Sequence, residues 1–236
     1  MMAGKGTLFL IPTTLGDSPI SNVIPDQVQE IVNSIDHYVA EDIRSARRYL
    51  SKVGIKKPIN TLEFVSLNKR TQTEEISELL EPALNGHNLG LMSEAGCPAI
   101  ADPGADLVRE AHQKGVQVVP LVGPSSLLLA LIGSGLNGQQ FTFNGYLPKD
   151  SKLRCQALLH LEKLALAGTT QLFIETPFRN QQMFEDIVKS CAGNTRLCIA
   201  TDLTLQTESL LTKPVSQWRK HPPAFKKRPT VFLLGS

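Results

Sequence analysis

Residues 91–132 read LMSEAGCPAIADPGADLVREAHQKGVQVVPLVGPSSLLLALI, in which apolar runs alternate with loops of small residues. The apolar strand 89–92 leads into the loop 93–104, an amphipathic helix follows, and the strand 116–120 leads into the loop 122–126. Open α/β sheets bind ligands at loops that follow the carboxyl ends of strands, where small residues let a ligand approach the backbone. The pattern therefore predicts a ligand site at these loops; two ordinary strand-to-helix turns are the alternative.

The composition favours a folded protein without a membrane span. The chain has 236 residues, of which 42% are hydrophobic, enough for one large domain or two small ones. No apolar run reaches the roughly 18 residues that cross a bilayer, and the N-terminus lacks a signal-peptide pattern, so we expect a cytoplasmic protein. The four cysteines show no C-x-x-C spacing and the five histidines are scattered, so no metal site and no disulfide framework are expected.

The charge is distributed unevenly along the chain. Residues 1–120 contain 11 Lys and Arg against 15 Asp and Glu, whereas residues 121–236 contain 13 against 7. From Lys213 onward there are six basic residues and no acidic ones. This asymmetry predicts a polyanionic partner near the second half of the chain. A solvated basic tail is the alternative.

The first half of the sequence alternates strand and helix patterns. Its helices are predicted at 25–34, 42–53 and 74–84, the last without a full capping box, and its strands at 8–11, 38–40, 62–67, 89–92 and 116–120. Such alternation is typical of a mostly parallel sheet covered by helices. We therefore predict an α/β domain over residues 1–120.

The second half has strands that follow one another more closely. Helices are predicted at 152–166 and 180–190, and strands at 141–146, 171–174, 196–201, 209–211 and 230–234. Short connections favour antiparallel pairing, so the sheet is predicted to be mixed. We predict a second α/β domain over residues 121–236.

Five segments resemble one known family in their order and spacing: 11–16 (IPTTLG), 40–44 (AEDIR), 93–104, 120–126 and 175–179 (ETPFR). Over nearly its whole length the chain resembles the tetrapyrrole methylase-like (class III) S-adenosylmethionine methyltransferases. Within them it is similar to enzymes that methylate the ribose 2′-hydroxyl of a cytidine in 16S rRNA. The resemblance implies two α/β domains with the cofactor in a cleft between them, a homodimer, and ribosomal RNA or the small ribosomal subunit as partner.

The resemblance also implies the residues that bind S-adenosylmethionine: Pro12, Ser93, Glu94, Cys97, Ser125, Ser126, Leu203, Thr204, Pro229 and Thr230. Ser125 and Ser126 precede a predicted helix, where hydroxyls suit the cofactor carboxylate. Simple N-capping of that helix is the alternative. Glu94 could accept hydrogen bonds from the cofactor, or be an exposed loop carboxylate.

Three segments depart from the family pattern. The family loop Ser-Asp-Ala-Gly-Thr-Pro-Gly reads SEAGCPA at 93–99, Glu-Ser-Pro-His-Arg reads ETPFR at 175–179, and Arg-Glu-Leu-Thr-Lys reads TDLTL at 201–205. These changes leave the expected cofactor positions largely intact. They leave the RNA target open.

A ribose hydroxyl needs a general base to become a good nucleophile. Glu175, directly after an apolar strand, is the candidate; a structural carboxylate paired with Arg179 is the alternative, and Glu41 and Asp42 are weaker candidates. Guanidinium and ammonium groups suit RNA phosphates. The predicted RNA-binding residues are Arg44, Arg47, Arg48, Arg179, Lys226, Lys227 and Arg228. For the arginines at 44–48, a solvated helix face is the alternative.

Two other functions stay open at this point. The same fold methylates tetrapyrrole carbons, which favours a large apolar cleft with few basic residues around it. A module that binds the cofactor or RNA without catalysis is the other alternative, because several motif positions are altered.

Overall fold

The computed structural model describes residues 4–68, 71–225 and 227–236. It divides into two compact units, Met1–Ser125 and Ser126–Ser236. The break lies five residues beyond Pro120, at the start of a helix. Among the described residues, every helix is too short or too polar to span a bilayer.

The first unit is built on a parallel sheet of five strands in the order β3-β2-β4-β1-β5. The strands are β1 Thr7–Ile11, β2 His37–Ala40, β3 Glu63–Ser66, β4 Leu89–Met92 and β5 Gln117–Pro120. The helices are α1 Asp26–Val32, α2 Ile43–Val53, α3 Thr73–Glu78, α4 Glu81–Leu84 and α5 Gly104–Gln113. All of its strand pairs are parallel, which confirms the predicted sheet.

Helices cover both faces of the inner strands of this sheet, as expected for parallel strands joined by helices. On one face Ile11, Tyr38 and Met92 pack with side chains of α1 and α2. On the other face Leu8 and Leu89 pack with side chains of α3, α4 and α5. The helices thereby fix the sheet and leave its carboxyl edge to the loops.

The helix predicted at 74–84 is two short helices. It is interrupted at residues 79–80, and α4 carries Pro82 in its first turn. A proline lacks the N–H and crowds the preceding turn, which explains the break. The expectation of an incomplete capping box was also wrong: Gln72 is the N-cap of α3, and its N–H donates to Glu75 Oε2 at 2.9 Å.

The second unit contains a mixed sheet of five strands in the order β6-β7-β10-β8-β9. The strands are β6 Phe141–Tyr146, β7 Thr170–Ile174, β8 Arg196–Thr201, β9 Ser209–Pro214 and β10 Thr230–Gly235. The helices are α6 Ser126–Ser134, α7 Ser151–Leu166, α8 Asn180–Ser190 and α9 Val215–Lys220. Only β6 and β7 pair in parallel, and the other pairs are antiparallel, which confirms the predicted mixed sheet.

Helix α9 was not predicted. It lies in the basic segment that follows Lys213. With only six residues, it is too short to show a clear apolar helical period among the charged side chains. Trp218 is 5% exposed, packs against Phe184, and donates from Nε1 to the carbonyl oxygen of Leu197 at 2.9 Å. Part of the basic segment is therefore anchored in the core rather than a solvated tail.

Candidate functional site

The carboxyl ends of β1, β4 and β5 lie side by side in the first unit, and their loops contact one another. Thr13 forms an isolated antiparallel bridge with Gly96, its N–H donating to the Gly96 carbonyl at 2.9 Å. The Cys97 thiol donates to the carbonyl of Pro124, with 3.5 Å between sulfur and oxygen. The fold therefore gathers the predicted residues Pro12, Ser93, Glu94, Cys97 and Ser125 at one edge.

Glycines in these loops are needed for the packing of the loops themselves. A Cβ on Gly123 would lie 2.2 Å from Pro12 Cβ, far inside contact distance. Gly96 has φ of 75°, a left-handed conformation that favours glycine. The loops thus pack closely at positions where a side chain would not fit.

Several hydroxyls at this edge have no hydrogen-bond partner among the described residues. Thr13 Oγ1 is buried and has no hydrogen-bond partner in the described structure. Ser125 and Ser126 are half-buried, and neither hydroxyl makes a hydrogen bond within the described part of the chain. Ser126 is already the first residue of α6, so it is not an N-cap. Glu94 is exposed.

Asp102 was not among the predicted site residues, although it braces the loop that contains them. Its Oδ1 accepts hydrogen bonds from the N–H groups of Ala99 at 3.0 Å and Gly104 at 2.7 Å. Ala99 and Ala101 have φ of 68° and 63°, a conformation that costs energy for alanine. Burial raises the pKa of Asp102, and the backbone hydrogen bonds oppose that rise. The Asp-Pro-Gly sequence was the available signal, because aspartate often organises such turns.

Tyr49 also supports this edge and was not predicted. Its hydroxyl donates to the carbonyl of Pro12 at 2.7 Å, and burial raises its pKa well above the usual range of a phenol. It follows that Pro12 is held from two sides, by Tyr49 and by Gly123.

In the second unit, Glu175 directly follows β7 and is 5% exposed. Its Oε1 accepts from Arg179 Nη2 at 2.5 Å and from the Thr176 N–H at 2.6 Å. Its Oε2 is buried and has no partner in the described structure. The carboxylate is therefore fixed through one oxygen only.

The neighbouring strand ends carry the remaining predicted residues. Asp202 Oδ2 accepts from Arg228 Nε at 2.5 Å and from Thr207 Oγ1 at 2.6 Å. The hydroxyls of Thr201 and Thr230 lie 3.2 Å apart across β8 and β10. The Thr204 hydroxyl is buried without a partner in the described structure, and its backbone has φ of 71°. Leu203 is 7% exposed, and Pro229, which is exposed, accepts the Asp202 N–H.

The predicted RNA-binding residues fall into two groups. Arg44, Arg47 and Arg48 are exposed on one face of α2, and the Arg47 guanidinium lies 5.0 Å from the ring centre of Phe64. Arg179 and Arg228 are held in ion pairs with Glu175 and Asp202. Lys227 is exposed, and Lys226 lies outside the described residues.

Asp42, one of the weaker candidates for a base, has a structural role. It is the N-cap of α2 and accepts the Ser45 N–H at 2.6 Å, and this hydrogen bond lowers the pKa of Asp42.

A cavity of about 810 Å³ lies elsewhere in the first unit. It covers one face of β2 and β3, and its lining includes His37, Glu63, Glu75 and Glu78. None of the predicted site residues lines it, and its carboxylates do not suit a polyanion.

Comparisons with known proteins agree with the fold. No family model matches the chain. The ribosomal RNA small subunit methyltransferase I of Pasteurella multocida (strain Pm70) is 32% identical over 234 residues, covering 97% of this chain and 79% of that protein. The protein of the same name from Thermotoga maritima is 31% identical over 234 residues, covering 98% and 99%.

Solved structures of tetrapyrrole methylases share the architecture. The crystal structure of the methyltransferase CobJ matches with a TM-score of 0.64 and 15% identity, covering 98% of this chain and 94% of that chain. The cobalt precorrin-4 methyltransferase CbiF matches with a TM-score of 0.60 and 16% identity, covering 97% and 94%.

The fold and these relationships define an S-adenosylmethionine-dependent methyltransferase, as predicted. More narrowly, the chain belongs to the ribosomal RNA small subunit methyltransferase I family. The loop residues fit the cofactor, because unpartnered hydroxyls, exposed backbone groups and the Glu94 carboxylate can meet its amino, carboxylate and ribose groups. Across the ranges that the structure describes, no group of three or more His, Cys, Asp and Glu side chains could hold a metal ion.

Proposed function

We propose that this enzyme methylates the ribose 2′-hydroxyl of a cytidine in 16S rRNA. The observation that carries the proposal is the 31–32% identity, over nearly the whole chain, to proteins named ribosomal RNA small subunit methyltransferase I. The exposed arginines of α2 and the basic segment after Lys213 support a polyanionic substrate.

The cofactor residues are proposed from the loops of both units. In the first unit they are Pro12, Ser93, Glu94, Cys97 and Ser125, and in the second unit Ser126, Leu203, Thr204, Pro229 and Thr230. S-adenosylmethionine supplies an electrophilic methyl group on a positively charged sulfur. The task of these residues is to bind and orient, because displacement at carbon requires the attacking and leaving atoms in line.

Glu175 is proposed as the general base. Arg179 and the Thr176 N–H hold Oε1, so Oε2 stays in one position, buried and without a competing partner in the described structure, and the ribose hydroxyl reaches it only once the group that covers it moves. A buried carboxylate oxygen of this kind can accept the proton of a ribose hydroxyl. In this assignment the ion pair with Arg179 positions the base. Glu175 can therefore be paired with Arg179 and still act as the general base.

Phosphate contacts are proposed to come mainly from Arg44, Arg48 and Lys227, which are exposed. Arg179 and Arg228 already donate to Glu175 and Asp202, so their guanidinium groups have fewer free donors. The Arg47 guanidinium lies over the Phe64 ring, a contact that uses none of its N–H donors.

We also propose that the enzyme acts as a homodimer. Leu128 and Ile132 lie four residues apart on α6 and are 52% and 78% exposed, a pair of apolar side chains that a second subunit would cover. Light scattering of the purified protein gives the mass, and a monomeric mass at micromolar concentration contradicts this part of the proposal.

The test uses purified enzyme, unmodified small ribosomal subunits and S-adenosylmethionine labelled in the methyl group. Nuclease digestion and mass analysis should show the label in 2′-O-methylcytidine. Label in a base, or incorporation no higher than in a reaction without enzyme, contradicts the proposal. Ser125→Trp serves as the control that abolishes cofactor binding while preserving the fold, which calorimetry and thermal unfolding verify.

A further inference from the structure

Phe178 is 76% exposed and lies four residues beyond Ile174, the last residue of β7. Isolated apolar side chains are common on protein surfaces, so its exposure alone indicates nothing. The position of Phe178 is informative, because it lies three residues after Glu175, the proposed base, in the short helical turn Pro177–Arg179.

The turn that carries Phe178 is rigidly held. The Arg179 N–H donates to the Thr176 carbonyl at 2.9 Å, and the Arg179 side chain closes the turn onto Glu175. Asn180, which is fully buried, donates from Nδ2 to the Arg228 carbonyl at 2.8 Å. The aromatic ring is therefore presented to solvent from a fixed support, which reduces the conformational entropy lost on binding.

A cation accompanies the ring. Lys227 Nζ lies 5.0 Å from the ring centre of Phe178, and Arg228 follows in the chain. No acidic residue occurs from Lys213 to the end of the sequence. An exposed aromatic face with adjacent cations is the combination that binds single-stranded nucleic acids, in which bases stack on rings and phosphates meet the cations.

We propose that Phe178 stacks on an unpaired base of the RNA substrate and holds the strand beside Glu175. The inference rests on the proposed function and deepens it. A protein partner is disfavoured because the neighbours of the ring are polar: Thr176 and Lys227 are exposed, and Arg179 is partly exposed. Stacking tolerates any base, so Phe178 contributes affinity and strand position rather than the choice of cytidine.

The experiment measures binding of a ten-nucleotide oligocytidylate that carries one 2-aminopurine, whose fluorescence falls when it stacks. Phe178→Ala and Phe178→Leu should weaken binding about fivefold to a hundredfold and remove the quenching, whereas Phe178→Trp should retain both. The leucine variant keeps an apolar side chain without an aromatic face. Because the residue is exposed, its replacement should leave the melting temperature and the S-adenosylmethionine affinity unchanged.

Phe141 provides the matched control. It is 43% exposed at the beginning of β6, so it lies at the opposite end of the same sheet from Glu175. Phe141→Ala should leave both binding and quenching unchanged. Wild-type affinity in Phe178→Ala, or full affinity in Phe178→Leu, overturns the stacking proposal. Absence of methyl transfer to rRNA by the wild-type enzyme would instead overturn the proposed function. The quenching signal does not depend on methyl transfer, so the two proposals can fail separately.

Discussion

In the first unit, the candidate site residues are held in place by close packing of loops. In the second unit, they are held in place by ion pairs between side chains. The loops after β1, β4 and β5 meet through the Thr13–Gly96 bridge and the contact of Gly123 with Pro12. The strand ends of the second unit are organised by Glu175 with Arg179 and by Asp202 with Arg228. The first arrangement depends on the absence of side chains, and the second on particular charges. The two regions should therefore respond to different kinds of substitution.

The largest effect is expected from adding a side chain at Gly123, where the loop after β5 packs against Pro12. Gly123→Val places a Cβ 2.2 Å from Pro12 Cβ, so the two loops must separate. Overpacking of this kind costs about 1–3 kcal/mol, and we expect S-adenosylmethionine binding to be lost in calorimetry together with a lower melting temperature. Gly138→Val is the control, because a Cβ there meets nothing within 4 Å. A normal cofactor affinity in Gly123→Val would show that the loop geometry is not required.

The second prediction concerns a single charge in the second unit. Glu175→Gln preserves shape but removes the base, so kcat should fall about 100-fold or more with little change in S-adenosylmethionine affinity. Single-turnover methyl transfer measures the chemical step directly.

Glu162 is the matched control for Glu175. It is a buried glutamate of the same unit that accepts the Ala192 N–H at 2.7 Å and the Thr195 hydroxyl. Glu162→Gln should lower the free energy of unfolding and leave kcat unchanged. If Glu175→Gln behaves in the same way as Glu162→Gln, Glu175 is structural.

The difference between the two units also explains what the sequence could predict. Apolar runs separated by helices specify a parallel sheet, and closely spaced strands specify antiparallel pairs, so both sheets were predicted correctly. The loops at the strand ends carry a local signal in their Gly, Pro and Ser residues. For that reason the sequence could predict which loops lie at the carboxyl edge of the sheet, whereas the binding of a ligand there stays a prediction.

Ion pairs between distant residues have no such local signal. Asp202 and Arg228 are 26 positions apart and meet only because β8 and β10 are neighbours. Arg228 therefore looked like a free RNA-binding cation, although it holds the Asp202 carboxylate, whereas the pair of Glu175 with Arg179, four positions apart, was an alternative that the sequence did offer. The break between α3 and α4 did have a local signal, Pro82, which the apolar periodicity outweighed.

An intermediate effect is expected for RNA binding by α2. Arg44→Ala combined with Arg48→Ala should weaken binding and flatten its salt dependence, the slope of log K against log salt falling by about 0.7–0.9 for each phosphate that is no longer neutralised. Arg47→Ala should change the slope less than the double variant does, because it removes one positive charge rather than two. Arg109→Ala, which removes an exposed arginine paired with Asp106 on α5, is the control. An unaltered slope in the double variant would remove α2 from the RNA interface.

The smallest effect is expected at Asp102, where a side chain supports the backbone-built site. Burial raises the pKa of Asp102 above the ordinary value of 3.8, so the folded state binds this proton more tightly than the unfolded state. The contribution of Asp102 to stability is therefore fully present below about pH 4 and declines as the pH rises through the raised pKa.

Asp102→Asn keeps an oxygen for the Ala99 and Gly104 N–H groups but cannot titrate. Urea unfolding of both proteins from about pH 4 to pH 7 should show wild type losing stability relative to Asp102→Asn, since the other carboxylates cancel in the difference. A difference of the opposite sign would mean that the backbone hydrogen bonds outweigh burial and that the loop prefers the ionised aspartate.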